Sequence, residues 1–131
     1  MIQDSGITQK IKKFTDLLAW QESHKLVLKV YGLKFPKEEM FGLVSQMRRA
    51  AISITSNIAE GFGRQGFSEK VQFYYLSRGS LTELKKQLIA SRDIGFISST
   101  DFRILDEQMK LAHRLLQGLI SKSKSFLNRE S

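Results

Sequence analysis

From Phe102 onward, six apolar residues (Phe102, Leu105, Met109, Ala112, Leu116 and Leu119) recur at intervals of 3, 4, 3, 4 and 3. Alternating steps of three and four put side chains on one face of an α-helix, and a strict alternation makes the seam by which helices pack on helices. Such a narrow stripe is not stable alone and has to be covered by other helices. The rest of the chain supplies them. One proline, Pro36, and nine glycines punctuate 131 residues, so turns are few and the elements between them long.

Thr15 or Asp16 stands where it can cap a first helix, in which Leu17, Trp20, Val27, Leu28 and Tyr31 recur at helical spacing with His24 on the same face; Gly32 and Pro36 end it. A second helix is expected to begin near residues 37–41, where Glu38 and Glu39 complement the positive end of its dipole. Leu43, Met47, Ala50, Ile54 and Ile58 form its stripe, and the run Gly61-Phe62-Gly63-Arg64-Gln65-Gly66 breaks it. Ser68 reads as the N-cap of a third helix, with Tyr74, Leu81, Leu84 and Leu88 on its core face and Gly95 as its stop. Ser98, Ser99 and Thr100 offer caps for the fourth. Four amphipathic helices with short connections predict an all-α fold, an antiparallel up-down-up-down four-helix bundle, over residues 14–121. Residues 1–13 read as a flexible basic arm, and residues 122–131 as a basic C-terminal tail that frays.

The second helix carries a further signal. Residues 50–59, AAISITSNIA, contain no charge, and Ile52 and Ala59 fall roughly opposite the Ile54/Ile58 stripe. A surface helix ordinarily shows a charged face at every turn. Burial on a second side, by another copy of the chain, predicts a homo-oligomer; the alternative is a monomer with a weakly polar surface helix. Gln46, Arg49, Ser53, Asn57, Glu60 and Arg64 form a polar stripe beside the apolar one. Half-buried polar groups need partners, and Arg49 and Glu60 are candidates for charge-assisted bonds with neighbours or with Glu83. The stripe is either a ligand groove or a structural network that sets helix register. Arg49, Ile52, Ser53, Ser56, Asn57, Glu60, Arg64 and Glu83 are therefore the candidates for an oligomer interface or polar network. Asn57 and Glu60 are also placed to satisfy backbone groups of the loop that follows. Gly79, inside the third helix, reads as a point of close helix approach.

Composition excludes much. The absence of cysteine removes disulfides, thiolate chemistry and thiolate zinc sites. The two histidines, His24 and His113, form no Glu-x-x-His pair of the di-iron type, so no metal or other cofactor is expected. No nucleophile elbow is present, and the Gly61–Gly66 run lacks the strand and Lys-Ser/Thr of a phosphate loop. It reads first as a turn, with Arg64 and the start of the third helix as a possible anion contact. No enzyme is expected. No run of about 18 apolar residues occurs and the N-terminus lacks a secretory apolar block, so the expected location is cytoplasmic, away from membranes.

The net charge of +8 comes from 21 Lys and Arg against 13 Asp and Glu. It favours an acidic partner, RNA or DNA. Lys85, Lys86 and Arg92, with Lys122, Lys124 and Arg129, are the candidate nucleic-acid-binding residues. They would contact phosphates without reading sequence, since no helix-turn-helix, zinc finger or RNP motif is present. The same charge also fits a solvated face that serves solubility, in which case the chain is a scaffold holding a protein partner.

Residues 44–64, VSQMRRAAISITSNIAEGFGR, resemble the signature of the bacterial four-helix bundle proteins, also called the ribosomal RNA intervening-sequence protein family. Three further pieces resemble the family in order: FTDLLAWQ at 14–21, FGL at 41–43 and GSLTEL at 79–84. The likeness spans roughly residues 14–119. It implies a cytoplasmic four-helix bundle that assembles as a homopentamer, in some members encoded within insertions of large-subunit ribosomal RNA genes. It also implies kinship with the accessory protein of diversity-generating retroelements, which binds nucleic acid and a reverse transcriptase. It implies no catalytic residues.

Overall fold

The structure is a computed structural model that describes residues 10–39 and 41–130. Most of the expected N-terminal arm, residues 1–9, lies outside the described residues. The elements are a 3₁₀ turn Phe14–Asp16, helix α1 (Leu18–Tyr31), a 3₁₀ turn Lys37–Glu39, and helices α2 (Leu43–Phe62), α3 (Phe67–Ile94) and α4 (Ser99–Glu130). Among the described residues there is no strand.

Each helix touches two others: α1 packs on α2 and α4, and α3 packs on α2 and α4. Across α2 and α3, Ser53 lies against Ser80, Ser77 against the Ile54 carbonyl, and Ser91 against Met47. Across α3 and α4, Arg78 meets Gln117 and Lys85 meets Asp106. Gln108 of α4 reaches back to Glu22 of α1. The core between them includes Leu26, Met47, Ile54, Ile58, Tyr74, Leu84, Leu88 and Leu116.

The stripes of α2 and α3 follow the spacing, with Met47, Ala50, Ile54 and Ile58, and Tyr74, Leu81, Leu84 and Leu88, all buried, while Leu43 at the start of α2 is half-buried against the core. Gly95 ends α3 with a left-handed backbone (φ 94°), a conformation glycine adopts without a Cβ penalty. The Ser98 hydroxyl accepts from the Asp101 amide at 3.0 Å and caps α4. In α4 the buried series runs Leu105, Met109, Ala112, Leu116 and then Ile120, with Leu119 only half-buried. A helix of 3.6 residues per turn drifts about 20° per heptad off a strict 3.5 repeat, so after two heptads Leu119 and Ile120 flank the inward direction.

Several boundaries differ from expectation. Neither Thr15 nor Asp16 caps α1; Asp16 closes the preceding turn, accepting from the Lys12 and Lys13 amides at 3.0 and 3.1 Å. These two bonds hold its carboxyl below the ordinary aspartate value. The α1 face in the core is Ala19, Ser23, Leu26, Val27 and Val30, while Leu28 and Tyr31 are exposed. The segment with Glu38 and Glu39 forms a separate 3₁₀ turn before α2 begins. Gly61 does not break α2, which continues through Phe62. Ser68 does not cap α3; the helix starts at Phe67 after Gly66, and Ser68 sits exposed in its first turn. A Cβ at Gly79 would meet nothing within 4 Å, so among the described residues no helix approaches there. The segment read as a fraying tail continues α4 to Glu130.

Candidate nucleic-acid interface

The basic residues expected on α3 do not form one free patch. Lys85 is half-buried and donates to Asp106 across the groove between α3 and α4. Arg92 folds over the Phe102 ring at 4.3 Å and its Nε donates to Asp93 at 3.0 Å. Lys85 approaches the same ring at 5.6 Å. Lys86 lies about 100° further round the helix, exposed and 3.5 Å from Glu83. Lys85 and Arg92 are thus brought together around Phe102 of α4, and Lys86 is the most exposed of the three.

The basic residues of α4 are presented differently. Lys122 and Lys124 are exposed, and the exposed Arg129 guanidinium lies 5.2 Å over the Phe126 ring. Between Glu107 and Glu130 the chain has no acidic residue, while Lys110, Arg114, Lys122, Lys124 and Arg129 fall in that stretch. The four lysines and arginines from Lys110 to Lys124 are all exposed, as is His113 beside them. From Lys110 to Arg129 the helix rises about 28 Å. Lys110, His113 and Arg114 were not among the sequence candidates. Their signal was the missing acids, visible only when the negative residues are tracked along one helix.

At one end of α3, aromatic rings alternate with cations. Phe67 stacks on Phe126 with centroids 5.1 Å apart. Lys70 Nζ donates to the Phe62 carbonyl at 2.6 Å and lies 3.4 Å from that of Gly61. It thereby satisfies the carbonyls at the end of α2, a task the sequence assigned to Asn57 and Glu60. Burial holds the Lys70 amine below the ordinary lysine value. Arg64 is occupied as well: it donates to Glu60 at 3.1 Å, lies 3.8 Å from Glu69 and covers the Phe73 ring at 4.7 Å. With Arg64 so engaged, the Gly61–Gly66 segment is a helix end and a turn.

Part of the polar stripe of α2 is hydrogen-bonded and part lines a groove. The Ser53 and Ser80 hydroxyls are 2.8 Å apart, and Asn57 Nδ2 donates to the Ser53 carbonyl and hydroxyl at 2.9 and 3.0 Å. Arg49 and Glu83 line a groove with Ser53 and Ser80, while Glu83 itself accepts from Gln87 and faces Lys86. Glu60 pairs with its neighbour Arg64, one turn on. On the opposite flank, Ile52 is 42 % exposed, Ser56 is exposed, and Phe41 is 97 % exposed. Tyr31, under the Arg48 guanidinium at 4.5 Å, lines the same depression as Phe41 and Ile52. At the start of α1, Trp20 stacks on His24 with centroids 4.7 Å apart, and Phe14 of the preceding turn meets Trp20 edge-to-face at 5.3 Å. The uncharged outer face of α2 is therefore uncovered in the single chain.

Chemically the surface can bind anions and flat rings. Among the described residues no three of His, Asp and Glu gather where they could hold a metal ion. The one strongly shifted phenol, Tyr74, is a core residue whose hydroxyl burial pushes up to about 12. No helix is long and apolar enough to cross a membrane among those residues.

A solved structure from Bacteroides thetaiotaomicron, a protein of unknown function from the S23 ribosomal protein family, is similar to this chain with a TM-score of 0.72. The identity is 16%, over 79% of this chain and 98% of that one, so the likeness is one of fold. No curated protein matches the chain. The sequence model described as 23S rRNA-intervening sequence protein matches residues 15–118, which covers α1, α2, α3 and most of α4, and the chain belongs to that family.

Proposed function

We propose that this chain is a non-enzymatic subunit of a cytoplasmic homo-oligomer, a pentamer by family resemblance, that binds nucleic acid through phosphate contacts largely independent of sequence. The observation that carries the reading is the acid-free stretch of α4, with five lysines and arginines between Glu107 and Glu130. Cations in such a row replace the counterions condensed on a phosphate backbone. The Phe67–Phe126 pair beside Arg129 adds flat apolar surface next to the charge, the combination on which unpaired bases stack.

Each subunit is read as an antiparallel up-down-up-down bundle. In support, paired positions rise along one helix as they fall along the next: 53 with 80 and 47 with 91, then 78 with 117 and 85 with 106. The assembly is supported by the uncovered outer face of α2, where Ile52 and Ser56 meet solvent with no charge between Arg49 and Glu60. Exposed apolar faces of this kind mark interaction sites.

Binding of the purified chain to labelled structured RNA and to duplex DNA of equal length, by anisotropy across a salt series, tests the reading. Molecular mass is taken by light scattering on the same sample. Micromolar or tighter binding at physiological salt by an oligomer supports it. Binding that vanishes by physiological salt points instead to the scaffold reading, which the exposed Phe41 and Ile52 favour; the uncharged face then holds a partner protein and the charge serves solubility.

A further inference from the structure

Where α3 and α4 lie side by side, a groove of about 270 Å³ opens to the outer surface. Its floor is Leu81 and Met109, each 4 % exposed. Asp106 stands on its rim between Lys85 and Lys110, with Thr82 and His113 further along. The volume is just under the roughly 300–1,000 Å³ of drug-sized sites, which suits a single planar ring system better than a larger cofactor.

The rim is chemically unsymmetrical. Asp106 is largely buried, with its side chain 16% exposed. One oxygen accepts from Lys85, and the other lies 3.4 Å from Lys110 Nζ. A carboxylate has about four lone-pair sites on its two oxygens, so one lysine on each leaves capacity for a donor on each. The Thr82 hydroxyl donates to the Arg78 carbonyl at 3.2 Å and has only accepting capacity left. Lys110 is 73% exposed and can swing toward a second anion. A ligand that fits presents a flat apolar face to the Leu81/Met109 floor, where a thioether favours an aromatic ring. It presents two neighbouring donors to Asp106, and it carries negative charge toward the lysines.

Among the common nucleobases only guanine places two donors side by side on its pairing edge, at N1 and the 2-amino group. Adenine and cytosine set an acceptor beside their donor, and uracil flanks its one donor with acceptors; each would turn a lone pair toward the carboxylate. We propose that the α3–α4 groove takes an unpaired guanine of a bound strand, with Asp106 accepting from its edge, Leu81 and Met109 as its platform, and Lys110 on the adjoining phosphate. The proposal rests on the nucleic-acid reading above and adds one base-selective site to a surface whose other contacts are independent of sequence.

The test titrates the full chain with GMP, AMP, CMP and UMP and follows the Leu81 and Met109 methyl signals by NMR, with anisotropy on a labelled RNA in parallel. Saturable GMP binding that shifts both signals, about tenfold or more tighter than for the other three nucleotides, is expected, as is its loss in Asp106→Asn. Because that variant also releases two lysines, Thr82→Phe is the second: it fills the groove from an exposed rim position, and it is expected to abolish GMP binding while the helical melt is kept. Equal binding of all four nucleotides, or GMP binding that survives Thr82→Phe, overturns the proposal. No nucleotide binding with RNA binding intact overturns the guanine site and leaves the nucleic-acid reading standing. Loss of both overturns both.

Discussion

Tyr74 of α3 lies against the backbone of α2 at Gly61, so close that a Cβ there would come within 2.7 Å of its Cε1 and 3.0 Å of its Cδ1. Phe73 Cβ would be met at 3.0 Å as well. The tyrosine is 2 % exposed and cannot move aside without opening the core. Gly61→Ala is therefore expected to destabilise the fold by about 1–3 kcal/mol through overpacking, read by denaturant melts. Gly79→Ala is the control: with open space around it and a helical backbone, it is expected to gain up to about 1 kcal/mol.

The Asp106 carboxylate gives the fold an acid-sensitive element. Burial pushes its carboxyl up, but the bonds and charges of Lys85 and Lys110 outweigh burial and hold it below the ordinary aspartate value. A depressed native value means that the stabilisation is present above the unfolded aspartate's pKa, about 4, and is lost as pH falls through the native one. Asp106→Asn is expected to cost about 0.5–1 kcal/mol at neutral pH, as partly exposed ion pairs do. The gap to wild type should close on acidification. A gap that is constant with pH would show that the charge has no part in it.

Lys70 closes the end of α2. Its ammonium is the donor to the Phe62 carbonyl, and hydrogen bonds to charged groups contribute more than neutral ones. Lys70→Met keeps the apolar stem beside Phe62 and Phe67 and removes the donor. A loss of about 1–2 kcal/mol is expected, with earlier amide exchange in the last turn of α2 than elsewhere in that helix.

The outer face of α2 is testable separately from the core. Ile52 is exposed in the single chain, so Ile52→Asp is expected to change the stability of an isolated subunit by no more than about 0.5 kcal/mol. In an assembly that buries this face, the same change leaves a charge without a partner. Light scattering is expected to show a smaller mass with helical content unchanged. An unaltered oligomer would place the interface elsewhere.

The sequence was most legible where one face of a helix is apolar and the other polar. The stripes of α2 and α3 satisfy that, and every residue from Met47 to Ile58 expected in the core is there. In α1 two apolar faces compete. Leu28 and Tyr31 are large and catch the eye but are exposed, and Trp20 packs only at the core's edge; the buried face is Ala19, Ser23, Leu26, Val27 and Val30. Small residues let another helix approach closely, and Ser23 carries no hydrophobic signal at all. Side-chain capture across helices was equally hidden. Lys85 finds Asp106 twenty-one positions away, and Lys70 reaches carbonyls of the preceding helix; neither pairing follows from local spacing. The acid-free stretch of α4, by contrast, could be read directly, because it depends on composition along one helix and not on packing.

The most direct test of the account is the salt dependence of RNA binding by a chain in which Lys110, Arg114, Lys122 and Lys124 are each replaced by glutamine. These residues are exposed, so the fold is expected to be unchanged by circular dichroism. If α4 holds the phosphate backbone, the slope of log affinity against log salt should flatten by about one unit for each phosphate contact removed, up to about four. Affinity at physiological salt should fall by about tenfold or more, to a similar extent for different sequences. A variant that keeps both the wild-type affinity and the wild-type slope would contradict the account.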